Sequence, residues 1–213
     1  MTCTRGGGIP GVPALWKESA LDEAAEAKLP DVIPYTLDGL PQETLVELAR
    51  AFCQLYPTLD GLWYLAVQEK HGNAEAFDLD LDVWKKLPRH EAKTMARALD
   101  VAPGTADLAS ITRLLLAMPF NMAMKHRLEV VDANTCIITF ADCPSVRAME
   151  KEGKGREQVI CEQVGAPAIM SYPKYLELPV EIAPLRLPPR RPGDDTCCQW
   201  RVTVSTQARS RSI

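Results

Sequence analysis

Few of the usual carriers of catalytic chemistry are present in this chain. It has only three histidines, His71, His90 and His126, and no His-Glu-x-x-His pair, which removes the commonest zinc-hydrolase pattern. No Gly-x-Ser-x-Gly elbow or phosphate-binding loop occurs; Gly153-Lys154-Gly155 is too short to cradle a phosphate. Paired Cys-x-x-Cys knuckles are missing as well, so a structural zinc site is not announced. There is no apolar run of bilayer length. The stretch from Met1 to Lys17 is interrupted by Gly6-Gly7-Gly8, prolines and a tryptophan, so it does not read as an export signal and a cytoplasmic location is expected. Residues 126–213 carry 12 Lys+Arg against 11 Asp+Glu, net +1, and residues 1–125 carry 12 against 17, net −5. Neither half has the basic surface that nucleic acid requires, and the two arginines of the tail from Ala208 to Ile213 read as a frayed terminus.

What is present fits an ordinary globular protein, with 46% hydrophobic and 24% charged residues in 213. Seven cysteines at irregular spacing, in a chain too large to need staples, indicate reduced thiols. Five of them fall in the last 78 residues: Cys136, Cys143, Cys161, Cys197 and Cys198.

Residues 1–40, rich in Gly and Pro, read as an extended arm with one weakly helical patch, Glu18 to Lys28. A helical subdomain is expected over 41–125. Proline and carboxylate in the first turn open a helix at Pro41-Gln42-Glu43, which Pro57 should end. Thr58 or Asp60 would cap the next helix, closing at His71-Gly72. Asn73 would cap a third towards Trp84, and Pro88 would separate that from a fourth, Glu91 to Leu99. A fifth follows from Thr105 or Asp107 until Pro119. The period then changes to two. Leu128 and Val130, then Cys136, Ile138 and Phe140, alternate around Asp132-Ala133-Asn134 as a β-hairpin. Helices over 144–151, 156–164 and 166–176 precede strands over 180–187 and 198–204. The expectation is an α+β fold, a helical bundle packed on a four-stranded antiparallel sheet in β-β-α-α-β-β order, with an α+β subdomain at 126–205 and a disordered tail at 206–213.

Cys143 precedes Pro144, so it falls at a helix N-cap, where exposed backbone N–H groups lower a thiol pKa; Arg147 would assist and the adjacent carboxylate of Asp142 would oppose. It is either a reactive thiol or a half-buried junction residue. Cys161 lies on an apolar helix face. Within a strand, Cys198 rather than Cys197 shares the core side with Trp200 and Val202, leaving Cys136 and Cys197 as packing or surface residues. Cys143, Cys161 and Cys198 could converge as thiolate ligands, although their spacing gives no zinc signature. The run Asp78-Leu79-Asp80-Leu81-Asp82 is not a calcium loop, because Val83 and Arg89 stand where glycine and glutamate are needed; it reads as a solvated helix start. Asp60 and Trp63, with Glu69 two turns on, either border a ligand cavity or serve as cap and core.

The run from Asp60 to Gly72 (Asp-Gly-Leu-Trp-Tyr-Leu-Ala-Val-Gln-Glu-Lys-His-Gly), the later Asp82-Val83-Trp84, and Cys143, Cys161 and Cys198-Gln199-Trp200 resemble an uncharacterised bacterial family of cytosolic proteins. That family looks related to the L-2-amino-thiazoline-4-carboxylic acid hydrolases. The resemblance covers about residues 42–204, and the C-terminal half is similar to the 4-vinyl reductase domain, a small-molecule-binding fold. The family pattern includes two further cysteines where this chain has Pro184 and Leu187, a departure that weakens metal binding. Two functions follow as expectations. One is a small-molecule binding or sensing protein, with an apolar pocket between the helical half and the sheet lined by Asp60, Trp63, Trp84, Phe140, Cys161, Cys198 and Trp200 around Cys143. The other is a hydrolase of a cyclic C–N bond with Cys143 as nucleophile and Glu69 or a histidine as base. No cofactor is required by the sequence, the partner is a small molecule, and a homodimer is possible.

Overall fold

The computed structural model describes residues 37–205, apart from Pro103, Thr105, Ala106 and Pro192. The expected N-terminal arm over 1–36, its helical patch and the tail over 206–213 lie outside the described residues. Leu37–Gly39 is a single 3-10 turn, and the chain from Leu40 onward forms one compact unit.

The fold is α+β. Among the described residues eight α-helices precede and interrupt a four-stranded sheet: α1 (Gln42–His71), α2 (Asn73–Trp84), α3 (Leu87–Ala98), α4 (Leu108–Leu116), α5 (Pro119–Met122), β1 (Lys125–Val130), β2 (Thr135–Asp142), α6 (Pro144–Glu152), α7 (Arg156–Ile160), α8 (Ala166–Tyr175), β3 (Val180–Arg186) and β4 (Cys198–Val204). The sheet is antiparallel throughout, in the order β1-β2-β4-β3. Cys136 pairs with Val202 and Ile138 with Trp200 across β2 and β4, while Ile182 pairs with Val202 across β3 and β4, so the buried members of all three strands share one face. Pro184 is tolerated because β3 is an edge strand, with a bulge between Pro184 and Arg186. Ile111, Leu114, Leu115 and Met118, on or just past α4, join Ala92 of α3 and the sheet residues in a single core, so the helical and α+β parts are not separately cored.

The helical half departs from expectation at Pro57. Instead of two helices, α1 runs unbroken for 30 residues through that proline. Proline removes one N–H and crowds the preceding turn, at a cost of about 3 kcal/mol in a helix interior. Here Pro57 is buried, and packing of α1 on α2, α5 and α6 offsets the loss. As a result Asp60 is a mid-helix residue rather than a cap, and its carboxylate is free for other partners. Pro88 likewise lies in the first turn of α3 instead of separating two helices. Asn73 does not cap α2, whose N-cap is Gly72 at φ 88°; the Asn73 side chain accepts the Tyr64 hydroxyl at 2.9 Å. Asp107 does cap α4, accepting from the Ser110 amide at 2.9 Å.

Between α7 and α8 the chain does not break. A π-helical turn, Cys161–Gly165, joins them, with the Ala166 amide reaching back to the Cys161 carbonyl. Pro167 lacks the N–H that a regular turn would use and its ring would press on the turn before it, so a widened turn is the economical continuation.

Along α1, Phe52, Leu55, Leu59, Leu62 and Trp63 form an exposed apolar row at helical spacing. Among the described residues no helix is long and apolar enough to cross a membrane.

Candidate functional site

A cavity of about 110 Å³ lies where α1, α2, α5, α6, the π turn and α8 meet the start of β4. Its wall is largely apolar, with Trp84, Phe120, Tyr172 and Trp200 supplying aromatic surface. Two polar groupings interrupt it: carboxylates from α1 and α2, and thiols from α6, the π turn and the segment entering β4.

The carboxylates are Asp60 and Asp80. Trp84 Nε1 donates to Asp60 Oδ1 at 3.1 Å, and the same N–H lies near enough to Asp80 to favour its carboxylate. Phe120 packs edge-on against the same indole, with ring centroids 5.7 Å apart, and fixes its plane. Burial lifts the Asp80 carboxyl to about 7, helped by the nearby Asp60 and opposed by the Trp84 N–H and by Arg156. Arg156 is held by Glu152 at 2.6 Å and by the Tyr64 ring, 4.7 Å from its centroid. Burial also raises Asp60, against the Trp84 hydrogen bond. The expectation that the acidic run from Asp78 to Asp82 is a solvated helix start is corrected: it occupies the second half of α2, where Asp78 and Asp82 face solvent and Asp80 faces the cavity. The spacing Ala76, Asp80, Trp84, four residues apart each time, was the available signal for one buried face.

In the unfolded chain Asp80 has its ordinary value of 3.8, and in the folded one about 7. The folded state therefore holds a proton that the unfolded state gives up, and stability drains away as pH rises through that window. Asp80→Asn should be indistinguishable from the wild type in thermal unfolding near pH 4, and more stable near pH 8 by about 1 kcal/mol after allowance for solvent screening. An equal effect at both pH values would show that the shift does not exist.

The thiol grouping contains Cys143, Cys161, Cys197 and Cys198. Cys143 is the N-cap of α6, as expected, and is buried, with the Ser145 and Val146 amides near its sulfur but no capping hydrogen bond formed. Those amides do not win. A hydrogen bond to Cys197 and burial hold the Cys143 thiol well above its ordinary range. Arg147, expected to assist, is paired instead with Asp142 at 2.6 Å. Cys197 accepts from Cys143, which lowers its pKa, but its bond to Cys198 and burial prevail and push it up to about 12. Cys161 is raised by burial and by the neighbouring Cys143 and Cys197. Cys198 Sγ accepts from Trp200 Nε1 at 3.2 Å.

Cys197 corrects the sequence reading. It precedes the strand, at a bend where alternation does not apply, and is 1% exposed, with its amide donating to the Phe140 carbonyl at 2.8 Å. Cys136 is core, against Thr112 at 3.5 Å. Among the described residues no three His, Cys, Asp or Glu side chains are placed to hold a metal ion.

Of the residues singled out from sequence, Asp60, Trp84, Cys143, Cys161, Cys198 and Trp200 line this cavity, and Trp63, Phe140 and Glu69 do not. Trp63 is 66% exposed, because the unbroken α1 turns it outward from Asp60. Phe140 is in the sheet core beside His126, and Glu69 is exposed about 13 Å along the helix from Asp60. His71, His90 and His126 are all exposed. Asp80, Asn121, Tyr172 and Cys197 had not been singled out as site residues. Tyr172 donates to the buried Glu91 at 2.8 Å, and that carboxylate also accepts from Tyr56 at 2.9 Å, tying α8, α3 and α1 together behind the cavity.

Residues 38–204 match a family of unknown function, DUF6125. The chain belongs to this family. The match to DUF6125 begins before α1 and ends at the last residue of β4, so it takes in every element that lines the cavity. Among curated proteins none matches the chain.

Proposed function

We propose that this DUF6125 protein binds a small organic molecule in the cavity between the helices and the sheet, as a cytoplasmic binding or sensing protein. The observation that carries the reading is a half-open, mostly apolar cleft with a few convergent polar groups, the usual make-up of a ligand site. An apolar cavity of about 150 Å³ holds benzene, so this smaller space takes about four or five heavy atoms, with the rest of the ligand extending through the open side. The small-molecule-binding fold read from the C-terminal sequence agrees with this. The hydrolase alternative, drawn from the thiazoline-carboxylate hydrolase likeness, is less well supported: the Cys143 thiol keeps its proton, its side-chain hydrogen bond goes to another thiol, and Glu69 lies elsewhere. All six described cysteines are free thiols, which favours a reducing compartment. A homodimer is supported by the exposed row on α1, which two copies would remove from water; sedimentation showing a monomer at every concentration would set it aside.

Gly165 offers the test. It lines the cavity in helical backbone, φ −64° and ψ −46°, and an added Cβ would meet only the Ile160 carbonyl oxygen at 3.9 Å. Gly165→Leu should therefore fold and fill the space. Native mass spectrometry of freshly purified protein should show an organic mass on the wild type and none on the variant. The reading fails if the wild type retains nothing and no compound of about eight heavy atoms or fewer raises its unfolding temperature.

A further inference from the structure

The ligand's charge can be read from which hydrogen-bonding groups in the cavity wall are already used. Apart from the Ser145 hydroxyl, the side-chain N–H and O–H donors there are committed. The Trp84 indole serves Asp60, the Trp200 indole serves Cys198, the Tyr172 hydroxyl serves Glu91, and Asn121 Nδ2 donates to the Leu115 carbonyl at 2.8 Å. Acceptors are in surplus. Beside the two carboxyl groups of Asp60 and Asp80 stands one indole N–H, which is given to Asp60. Asn121 is 4% exposed and lines the cavity, yet among the described residues its Oδ1 accepts no hydrogen bond. That oxygen is open to a donor entering the cavity, and it is independent of the acidic pair. Among the described residues no Lys, Arg or His lines the cavity, so an anion would find no counter-charge in its wall. The rings of Trp84 and Phe120, beside the carboxylates, offer π faces to a positive group.

We propose that the ligand is a compact organic monocation, an ammonium or amidinium head on a small hydrocarbon or ring body, with its N–H groups directed to Asp60, Asp80 and Asn121 Oδ1. This rests on the binding reading and narrows it. The apolar body faces the thiol side, where Cys143, Cys161 and Cys197 are neutral and act as soft packing surface. Binding is pH-dependent. Asp60 from α1 and Arg156 from α7 bear on Asp80, the Trp84 N–H lies near it on its own helix, and the thiols stay protonated, so Asp80 is the wall group that titrates near neutrality. The cation binds best when Asp80 is ionised, so affinity rises with pH through about 7.

The test compares cyclopentylamine with its neutral isostere cyclopentanol, by isothermal titration against the full chain near pH 8 and pH 6. The amine stays charged at both. It should bind about tenfold more tightly than the alcohol near pH 8, and the preference should shrink near pH 6. Asp80→Asn should lose most of the preference while still binding the alcohol, and Asp60→Asn serves if that variant does not fold. An alcohol that binds as tightly as the amine near pH 8, or a preference that ignores pH, overturns the cation while leaving a binding cavity. If neither probe binds, and no compound of similar size raises the unfolding temperature of the wild type, the binding reading falls as well.

Discussion

Replacing Glu91 by alanine is expected to cost about 2–4 kcal/mol of unfolding free energy, measured by urea denaturation. The carboxylate is 7% exposed and accepts two tyrosine hydroxyls, Tyr56 at 2.9 Å and Tyr172 at 2.8 Å. Hydrogen bonds to a charged acceptor contribute about 1.5–3 kcal/mol each, and relief from holding a carboxylate out of water subtracts from their sum. In Glu91→Ala the Tyr172 hydroxyl, on a residue 3% exposed, loses its acceptor. Glu91→Gln keeps one acceptor oxygen and should cost about 1 kcal/mol. Tyr172→Phe should then cost less in the Glu91→Ala background than in the wild type, with a coupling of about 1–2 kcal/mol. Additive costs would show that the two residues do not act as a unit, and a loss below about 1 kcal/mol for Glu91→Ala would remove the tie between α1, α3 and α8 from the account.

Trp200→Ala is expected to be at least as damaging, about 3–5 kcal/mol. Trp200 is 3% exposed, sits in β4 between Ile138 and Pro184 of the flanking strands, and forms part of the cavity wall. Truncation removes a large packed surface in the middle of the sheet, where pairing on both sides limits collapse, and merges the vacated volume with the cavity already there. Trp200→Phe keeps a ring and loses the N–H donated to Cys198 Sγ together with part of the indole's packed surface, so its cost should be about 1–2 kcal/mol. Equal losses for the two variants would mean that the 3.2 Å indole–thiol contact, rather than packing, holds the residue.

How far the sequence could be read depended on whether local rules were left undisturbed. The hairpin and both later strands were legible because Cys136, Ile138, Phe140 and Trp200, Val202, Val204 alternate between turn residues, and the sheet obeys that period. Pro57 misled because a local cost of about 3 kcal/mol is outweighed by the neighbours packed on α1, which no local pattern reveals. The consequences reached the site: a continuous α1 turns Trp63 to solvent and frees Asp60 from a capping role. Cys143 was found because Pro144 marks the first helical residue, but the sign of its pKa shift depended on Cys197, which is 54 positions away in sequence and enters the cavity at a bend outside the strand's period. Asp80 was hidden by its acidic neighbours, although its spacing with Ala76 and Trp84 pointed inward. The Asn121 amide carries no sequence signal, since an acceptor left open to the cavity is a property of the assembled wall.

The cavity can be interrogated directly through its two indoles. The chain has four tryptophans, of which Trp84 and Trp200 line the cavity while Trp63 is exposed on α1. In a ¹H–¹⁵N correlation spectrum recorded during titration with cyclopentylamine near pH 8, the indole N–H signals of Trp84 and Trp200 should shift saturably together. The Trp63 signal should stay in place, and Gly165→Leu should abolish the response. Unmoved Trp84 and Trp200 signals at saturating probe, or a Trp63 shift of the same size and midpoint, would contradict a ligand site in this cavity.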